Sequence, residues 1–356
     1  MVFTKIGSYI GDVAKLPDTY DYYNFSQNVA GASIKDKKLS SYILAFFLSK
    51  FGKLQILRSA MVSGQGKLEL DDIRNYKVPC FTKNLTDEIF GIFNNISNLE
   101  KQINLCYNKA EKILYQYLDF PKNIPQYYTV KTLDKSLFQS GRLDAEYYQT
   151  KYEIYERSIK NFANGYTTVK ETFDLVTEKC YRNLNQYRYI EIGDINVGNG
   201  SYIFNLINTK DLPDNAKIMT KVGDILVSTV RPNRGAVAIL EENNLLVSGA
   251  FTVLRQKSNY SKELLQVLLR TPMYRDWLLK FNVGTSYPVI KSNDILNLQV
   301  PLLNETAQNE ISDKIQETFR LRNKIKQLLN TAIKAVEMAI EKNESYAIKW
   351  LDKFKF

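Results

Sequence analysis

The chain has 356 residues, 44% of them hydrophobic and 24% charged, with a formal net charge of +10. That balance belongs to a globular protein with room for two or three cores and excludes a disordered chain. No apolar run approaches the ~18 residues of a membrane span, Tyr42 to Leu48 being far too short. The opening MVFTKIGSYIGDVAKL scatters its apolar positions and lacks a secretion-signal layout. Cys80, Cys106 and Cys180 stand far apart without a CxxC, which argues against a disulfide frame or a zinc site. The absence of histidine removes His-based acid–base chemistry and most metal sites. A cytoplasmic protein without cofactor or membrane attachment is expected. The positive charge is spread through the chain and favours a polyanionic partner, although a merely soluble basic protein has the same charge. The 24 tyrosines and many asparagines suit a nucleic-acid surface, and an AT-rich genome would enrich the same residues.

In chain order, Val2 to Leu16 reads as a strand, a polar glycine-containing loop and a resumed strand over Gly11, Val13, Ala14 and Leu16. Val29-Ala30-Gly31-Ala32 and a helical run from Ser40 to Ser49 follow. Next come the loop Ser63-Gly64-Gln65-Gly66-Lys67-Leu68, a turn at Asp72-Ile73 and a strand ending in Val78-Pro79. A long helix is then expected from Leu85 to Tyr117. Its apolar positions, Leu85, Ile89, Ile92, Ile96, Leu99, Ile103, Cys106, Ala110, Ile113 and Tyr117, alternate steps of four and three without a break. At ~1.5 Å per residue this is a rod of roughly 50 Å, fenced by Pro79 and Pro121.

The order recurs from Ile225. ILVSTVRPNRGAVAIL places Gly235, Val237, Ala238 and Leu240 opposite Gly11, Val13, Ala14 and Leu16. Val247-Ser248-Gly249-Ala250 answers Val29 to Ala32, and Ser261 to Leu269 answers the first helical run. Thr285 to Ile290 lies opposite Ser63 to Leu68, Asp294-Ile295 opposite Asp72-Ile73, and Val300-Pro301 opposite Val78-Pro79. A second long helix runs from about Ala307 to Ser345. Ala307 stands 222 residues after Leu85, and the same offset matches Ile311, Leu321, Ile325, Leu328, Ala332, Ala335 and Ala339, with Lys314 and Thr318 as interruptions. Two ordinary amphipathic helices would also carry such stripes; the shared order of what precedes them favours a two-copy, pseudo-twofold repeat. The second copy has an extra block, beginning near Gln126 and containing Arg142-Leu143-Asp144-Ala145-Glu146-Tyr147-Tyr148, a helix to Phe162 and alternating strands up to Lys221–Ser228. Because Val2-Phe3-Thr4 aligns with Leu226-Val227-Ser228, the first lobe is expected to lack the strands that flank its partner copy.

Catalytic motifs are missing. There is no NPPY-type methyltransferase string, GxGxxG or Walker A. Ser63 to Lys67 lacks the spacing of a phosphate loop, and its repeat mate has no lysine. Pro17-Asp18 with Asp36-Lys37-Lys38 mimics a nuclease string, but both pieces read as exposed turns without a second copy.

YIEIGDINVGNG, VGDILVSTVRPNRGAVAI, VSGAFTVLR and GTSYPVIKSNDILNLQVPLL, in that order, resemble a target recognition domain of type I restriction–modification specificity (S) subunits. The likeness extends through Leu303 to Ile311, with Gln308 ahead of the helix, and RLDAEYY at Arg142 to Tyr148 resembles the opening of such domains. It covers about Arg142 to Ile340, with Met1 to Tyr117 as a partial second copy in which Thr86 replaces Gln308. The resemblance implies mixed α/β target recognition lobes separated by two long antiparallel coiled-coil helices. The expected segments are a partial first lobe (1–82), a first long helix (83–120), a second lobe (121–302), and a second long helix with the tail (303–356). It further implies a non-catalytic subunit that binds a split double-stranded DNA site and carries methyltransferase subunits, with a nuclease–translocase subunit as a further partner. The recognition part of a single-chain or type IIB-like restriction–modification enzyme, or a coiled-coil interaction protein without DNA readout, are the alternatives. The incomplete first lobe is expected to be completed by another polypeptide or by a second copy of the chain.

For DNA contact the leading loop is Arg231-Pro232-Asn233-Arg234, since arginine forks suit guanine edges or phosphates and asparagine suits adenine. A solvated turn between strands is its alternative reading. Arg182, Asn185, Tyr187 and Arg188 form a second polar stretch, and Tyr287 and Gln65 lie in corresponding loops of the two copies. In the first copy Lys5 is the charged residue in the counterpart of the arginine loop.

Overall fold

The computed structural model describes residues 1–7, 10–17, 21–62, 66–118, 120, 138, 140–284 and 286–354. Strands β1 (Val2–Thr4), β2 (Val13–Ala14) and β3 (Val29–Gly31) lead into helices α1 (Lys37–Leu48), α2 (Lys50–Val62), α3 (Leu70–Asn75) and the 35-residue α4 (Lys83–Tyr117). The second half begins with α5 (Thr150–Lys160), β4 (Tyr166–Thr168), α6 (Val169–Thr172), β5 (Phe173–Leu175), β6 (Gln186–Ile190) and β7 (Asn205–Asn208). There follow β8 (Ala216–Met219), β9 (Ile225–Ser228), β10 (Val237–Ile239), β11 (Leu246–Ser248) and β12 (Phe251–Gln256). The chain closes with α7 (Lys262–Arg270), α8 (Pro272–Trp277), α9 (Ser292–Leu296), β13 (Gln299–Pro301), the 37-residue α10 (Glu305–Glu341) and α11 (Glu344–Leu351). The expected mixed α/β class with two long helices is what the structure has.

The chain divides into two compact units, Met1–Gln102 with Arg320–Phe356, and Ile103–Phe319. In the first, a three-stranded sheet of order β2-β1-β3 covers a core of Phe3, Tyr42, Phe46, Phe47 and Leu68. In the second, a sheet of order β10-β9-β12-β5 and another of order β7-β6-β11-β8 share one lobe. All four residues of β9 are buried, which is why Ile225-Leu226-Val227 reads as an unbroken apolar run and not an alternating one.

The repeat holds at the level of strand register. Phe3 pairs with Val13 and Val2 with Ala14; Val227 pairs with Val237 and Leu226 with Ala238. The Thr4 amide donates to Asp12 O (2.9 Å) as the Ser228 amide does to Ala236 O (3.0 Å). Deeper in the lobe, the buried Ser49 hydroxyl donates to Phe46 O (2.5 Å) and accepts from the Gly52 amide (3.4 Å), which caps α2. Thr271 does the same for α8, with Leu268 O at 2.7 Å and the Tyr274 amide at 3.4 Å. Asp72 and Asp294 likewise accept from the amides three residues earlier, Glu69 and Lys291 (2.9 and 2.7 Å).

One alignment needs correcting. Val29 to Ala32 does not correspond to Val247 to Ala250; β3 pairs with β1 as β12 pairs with β9, so Ala30 opposite Phe3 answers Thr252 opposite Val227. Val247 belongs instead to β11, in the sheet built on β6 and β8, and that sheet has no counterpart among the described residues of the first unit. The Val-Pro endings also differ: Val300 and Pro301 lie in β13 paired with β4, whereas Val78 and Pro79 form no strand.

The long helices follow the expected seam with a drift. Leu85, Ile89, Ile96, Leu99 and Ile103 are buried, but beyond Ile103 the buried positions become Tyr107, Ala110, Leu114 and Leu118, with Cys106, Ile113 and Tyr117 half-buried. A straight α-helix slips ~20° per heptad against a 3.5-residue repeat, and here the slip is used to turn Tyr107 and Leu114 into the second unit's core. On α10, Ile315 replaces Lys314 at the seam, and buried Thr318 satisfies its hydroxyl on Ile315 O (2.7 Å). Leu85 and Ile89 share a core with Ala332, Ala335, Val336 and Ala339 in the first unit. Ala110, Leu114 and Leu118 share one with Ala307, Ile311 and Ile315 in the second. Within the first unit the start of α4 thus meets the end of α10, and within the second unit the end of α4 meets the start of α10.

The paired caps can be tested by substitution. Thr271→Ala and Ser49→Ala should each cost about 1–2 kcal/mol, while Thr271→Ser keeps most of the capping energy. Thermal unfolding reads this directly, and unchanged midpoints in both alanine variants would contradict it.

Candidate nucleic-acid interface

In the second unit, β9 ends at Ser228 and the chain must turn back to β10 at Val237. It does so through two left-handed residues, Arg231 (φ 50°) and Gly235 (φ 76°), around a short 3-10 turn at Pro232–Arg234. Proline at the first position presets its φ, and glycine closes the turn where a Cβ would sit 3.1 Å from Arg275 Cδ. Arg275 donates from Nε to Asn233 O (2.7 Å) and holds the loop from below. The unfavourable conformation of Arg231 is held by its own amide, which donates to Pro288 O at 2.7 Å. The Arg234 amide closes the turn on Arg231 O (3.0 Å).

The loop from Asn282 to Val289 lies alongside. Asn282 Oδ1 accepts from the Gly284 and Val289 amides, both at 2.9 Å, and a bridge joins Val289 to Val230. Tyr287 is 46% exposed, with the Arg231 guanidinium carbon 5.4 Å from its ring centroid. Arg231 and Arg234 are both exposed, and among the described residues neither has an ion-pair partner. This separates them from Arg255, Arg142 and Arg188, and they share it with Arg157, which is exposed and has no ion-pair partner among the described residues. Arg255 forks onto buried Asp224 (2.8 Å to each oxygen), Arg142 onto Asp144 (2.5 and 2.6 Å), and Arg188 onto Glu242 and Asn243 O.

Of the other expected contacts, Arg182 is half-buried and left-handed (φ 48°), and its guanidinium donates to Pro213 O and Ala216 O (2.8 and 3.2 Å). Asn185 is exposed on the rim of an open pocket of about 550 Å³ that also holds Asn183, Asn208 and Lys210. Tyr187 is not a surface residue. It is 3% exposed in a small core with Tyr189, Leu212 and Leu246, its hydroxyl accepting from the Leu184 amide (3.0 Å). The alternation of β6 turns it inward, which leaves it holding the loop and not facing a ligand. Arg188 packs over Phe204 as well as pairing with Glu242. A backbone run connects the two regions: Thr229 donates to Ala250 O (2.9 Å) and Gly249 to Asn215 O (2.6 Å), next to the Ala216 carbonyl that Arg182 holds.

The first unit repeats the frame without the charges. Leu68 donates to Lys5 O as Ile290 does to Thr229 O, both at 2.9 Å, and Ile6 bridges Lys67 as Val230 bridges Val289. Gly7 (φ 104°) stands in the place of Arg231 and Ile10 in that of Arg234. Lys5 is half-buried on the frame itself, and Gln65 lies outside the described residues. Residue-type reasoning missed Arg275 and Asn282. The second carried a signal, because an Asn two residues before a Gly is an Asx-turn pattern.

The left-handed presentation of Arg231 predicts an order of stability. Arg231→Gly and Arg231→Ala lose the same side-chain contacts, but only glycine relieves the backbone, so the glycine variant should be more stable by about 1 kcal/mol. Equal unfolding midpoints would contradict it.

Residues 166–335 match the family model of the type I restriction modification DNA specificity domain, a span from β4 into α10. A stretch of 157 residues, 42% of this chain, is 29% identical to the specificity subunit of the type I restriction enzyme HindI of Haemophilus influenzae. The match spans only 34% of that relative. Among solved structures, the HsdS subunit from Thermoanaerobacter tengcongensis aligns over 48% of this chain and 46% of its own, at 22% identity and a TM-score of 0.38. The S subunit of a type I restriction–modification system from M. genitalium aligns over 83% and 72%, at 11% identity and a TM-score of 0.40. The matched span includes Arg182, Asn185, the Arg231–Arg234 loop and Tyr287, and over that span the chain is similar to a type I restriction modification DNA specificity domain.

Proposed function

We propose that the chain is a non-catalytic DNA specificity subunit whose second lobe reads duplex DNA with Arg231 and Arg234, supported by Tyr287. The observation that carries this is the pair of exposed guanidiniums without carboxylate partners, mounted on a loop whose backbone is fixed on both sides. Arginine is suited to the task because its planar fork grips guanine O6 and N7 or a phosphate with two bonds. A strained but pre-formed loop spends little ordering entropy on binding. Asn233 stands between the two arginines, half-buried, with its Oδ1 turned away from solvent and unpartnered among the described residues, so a contact from this side chain would come from its Nδ2. Asn185 and Lys210, on the neighbouring pocket, extend the contact to the backbone.

The antiparallel helix pair supports the reading of a bipartite protein in which a split site is read in halves. Methyltransferase subunits, with a nuclease–translocase subunit beside them, are the partners in that reading. The first lobe, with Gly7 and Ile10 where the second has arginines, is assigned little readout of its own. Its strand β3 has no neighbour on the outer side among the described residues, where β12 is covered by β5. A strand from another polypeptide, or from a second copy of the chain, would pair at that edge.

Arg231→Ala and Arg234→Ala should each weaken DNA binding. A lost base-edge contact costs ~1–3 kcal/mol on the preferred sequence alone, whereas a lost phosphate contact weakens all sequences and lowers the salt slope by about one. Gel-shift titrations at several salt concentrations distinguish the two. Unchanged affinity in both variants would return the loop to a solvated turn.

A further inference from the structure

The RLDAEYY segment lies outside the matched family span, and the proposed DNA contacts do not use it. Its arginine is nonetheless built into the same region. Arg142 grips Asp144 through Nε and Nη2 (2.5 and 2.6 Å), and the same Nη2 donates to Asn282 O at 2.8 Å. The guanidinium carbon lies 5.2 Å from the Tyr147 ring centroid, so the fork is held on a face as well as at its edge. Pairing with Arg142 keeps the Asp144 carboxyl below the usual carboxylate range, as expected of a charge-assisted fork.

Asn282 is where this clamp meets the reading loop. Its carbonyl is held by Arg142, while its side chain accepts from the Gly284 and Val289 amides and donates to Gly284 O (3.2 Å). Val289 bridges Val230, and Pro288 O receives the Arg231 amide. Gly284 makes the loop tight enough that a Cβ there would fall 2.1 Å from Tyr287 O. A continuous line of hydrogen bonds thus leads from Arg142 to the residue whose left-handed backbone aims the exposed guanidinium. In the first copy, Ala60 stands in the place of Asn282, and an alanine side chain has no oxygen to accept such bonds.

We propose that Arg142 is a positioning residue for sequence readout: it clamps Asn282 and thereby holds the 282–289 loop against Arg231, fixing how Arg231 and Tyr287 are presented. The proposal rests on the DNA-reading assignment above and deepens it. Arg142 touches no DNA in this scheme; it acts through the loop.

The test uses the full chain with Arg142→Gln and Asn282→Ala, which break the same line at two points. The first readout is hydrogen exchange of peptides covering 229–235 and 282–290. Both variants should exchange there at least tenfold faster, with β9 and β12 as protected as in the unsubstituted chain. The second readout is affinity for a duplex enriched by the unsubstituted chain from a randomised pool, against a scrambled duplex of equal length. Preference for the enriched duplex should fall about tenfold, with affinity for the scrambled one retained. Unchanged loop exchange in both variants overturns the clamp. Faster exchange with full sequence preference overturns its role in readout. A global rise in exchange, across β9 and β12 as well, reduces Arg142 to a stabilising contact and also overturns the proposal. If the unsubstituted chain enriches no sequence at all, the DNA-reading assignment fails and the readout role falls with it; the exchange data then show separately whether the clamp exists.

Discussion

Burial of the apolar stripes on the two long helices is the interaction from which the remaining structure is built. Neither lobe has a core of its own that stops at the helices. In the first unit, Phe3, Phe46 and Phe47 continue into Leu85 and Ile89 on α4 and into Ala332, Ala335 and Ala339 on α10. In the second, Leu264, Leu268 and Tyr274 continue into Ala110 and Leu114, and into Ala307 and Ile311. Each large side chain buried in this way contributes ~1.5–3 kcal/mol, and the alanines on α10 let the opposing helix approach closely. A helix of 35 residues with mostly polar outer faces would be marginal without such a stripe. Within each unit, the lobe and the helix segments packed against it therefore stabilise one another.

A buried arginine fixes α4 to the second lobe. Arg270, 7% exposed, donates to the Tyr107 hydroxyl (2.7 Å) and to Val197 O (2.8 Å), with its guanidinium carbon 4.6 Å from the Tyr107 ring centroid. No carboxylate is needed, because carbonyl oxygens and an aromatic face satisfy the fork. Gln308 plays a matching part for α10, accepting from the Ser261 amide (2.8 Å) and donating to Leu303 O (2.9 Å). Thr86, in the corresponding place on α4, is too short for this and satisfies its hydroxyl on Thr82 and Lys83 carbonyls. The two copies share a frame and differ in how firmly side chains tie it down.

Much of this was legible in the sequence because local rules and the fold agree. The heptad steps from Leu85 to Ile103, the Gly-x-Val-Ala strands and the paired helix starts all reported real elements. Where reading failed, a tertiary partner had overruled the local pattern. Val247 looks like a mate for Val29, but β6 and β8 draw it into a second sheet. Cys106 and Ile113 fit a strict seam, but the helix drifts and the lobe takes Tyr107 and Leu114 instead. The site shows the same division. Arg231 and Arg234 stand out as a proline-stiffened arginine pair, whereas Tyr187 looked identical to a surface tyrosine until strand pairing placed it inside. The link between Asn282 and Arg142 becomes visible only through their hydrogen bond, since nothing in their spacing along the chain connects them.

The loop at Arg231 is where conformational strain, exposed charge and the span similar to a DNA specificity domain coincide, and it can be probed without knowing the target sequence. Photo-crosslinking of the full chain to bromouracil-substituted duplex pools, followed by peptide mapping, measures directly which residues approach DNA. Cross-linked peptides should centre on 229–236 and on the segment carrying Tyr287, and should diminish in an Arg231→Ala, Arg234→Ala double variant. Cross-links confined to other surfaces, or an unchanged pattern in the double variant, would contradict the account.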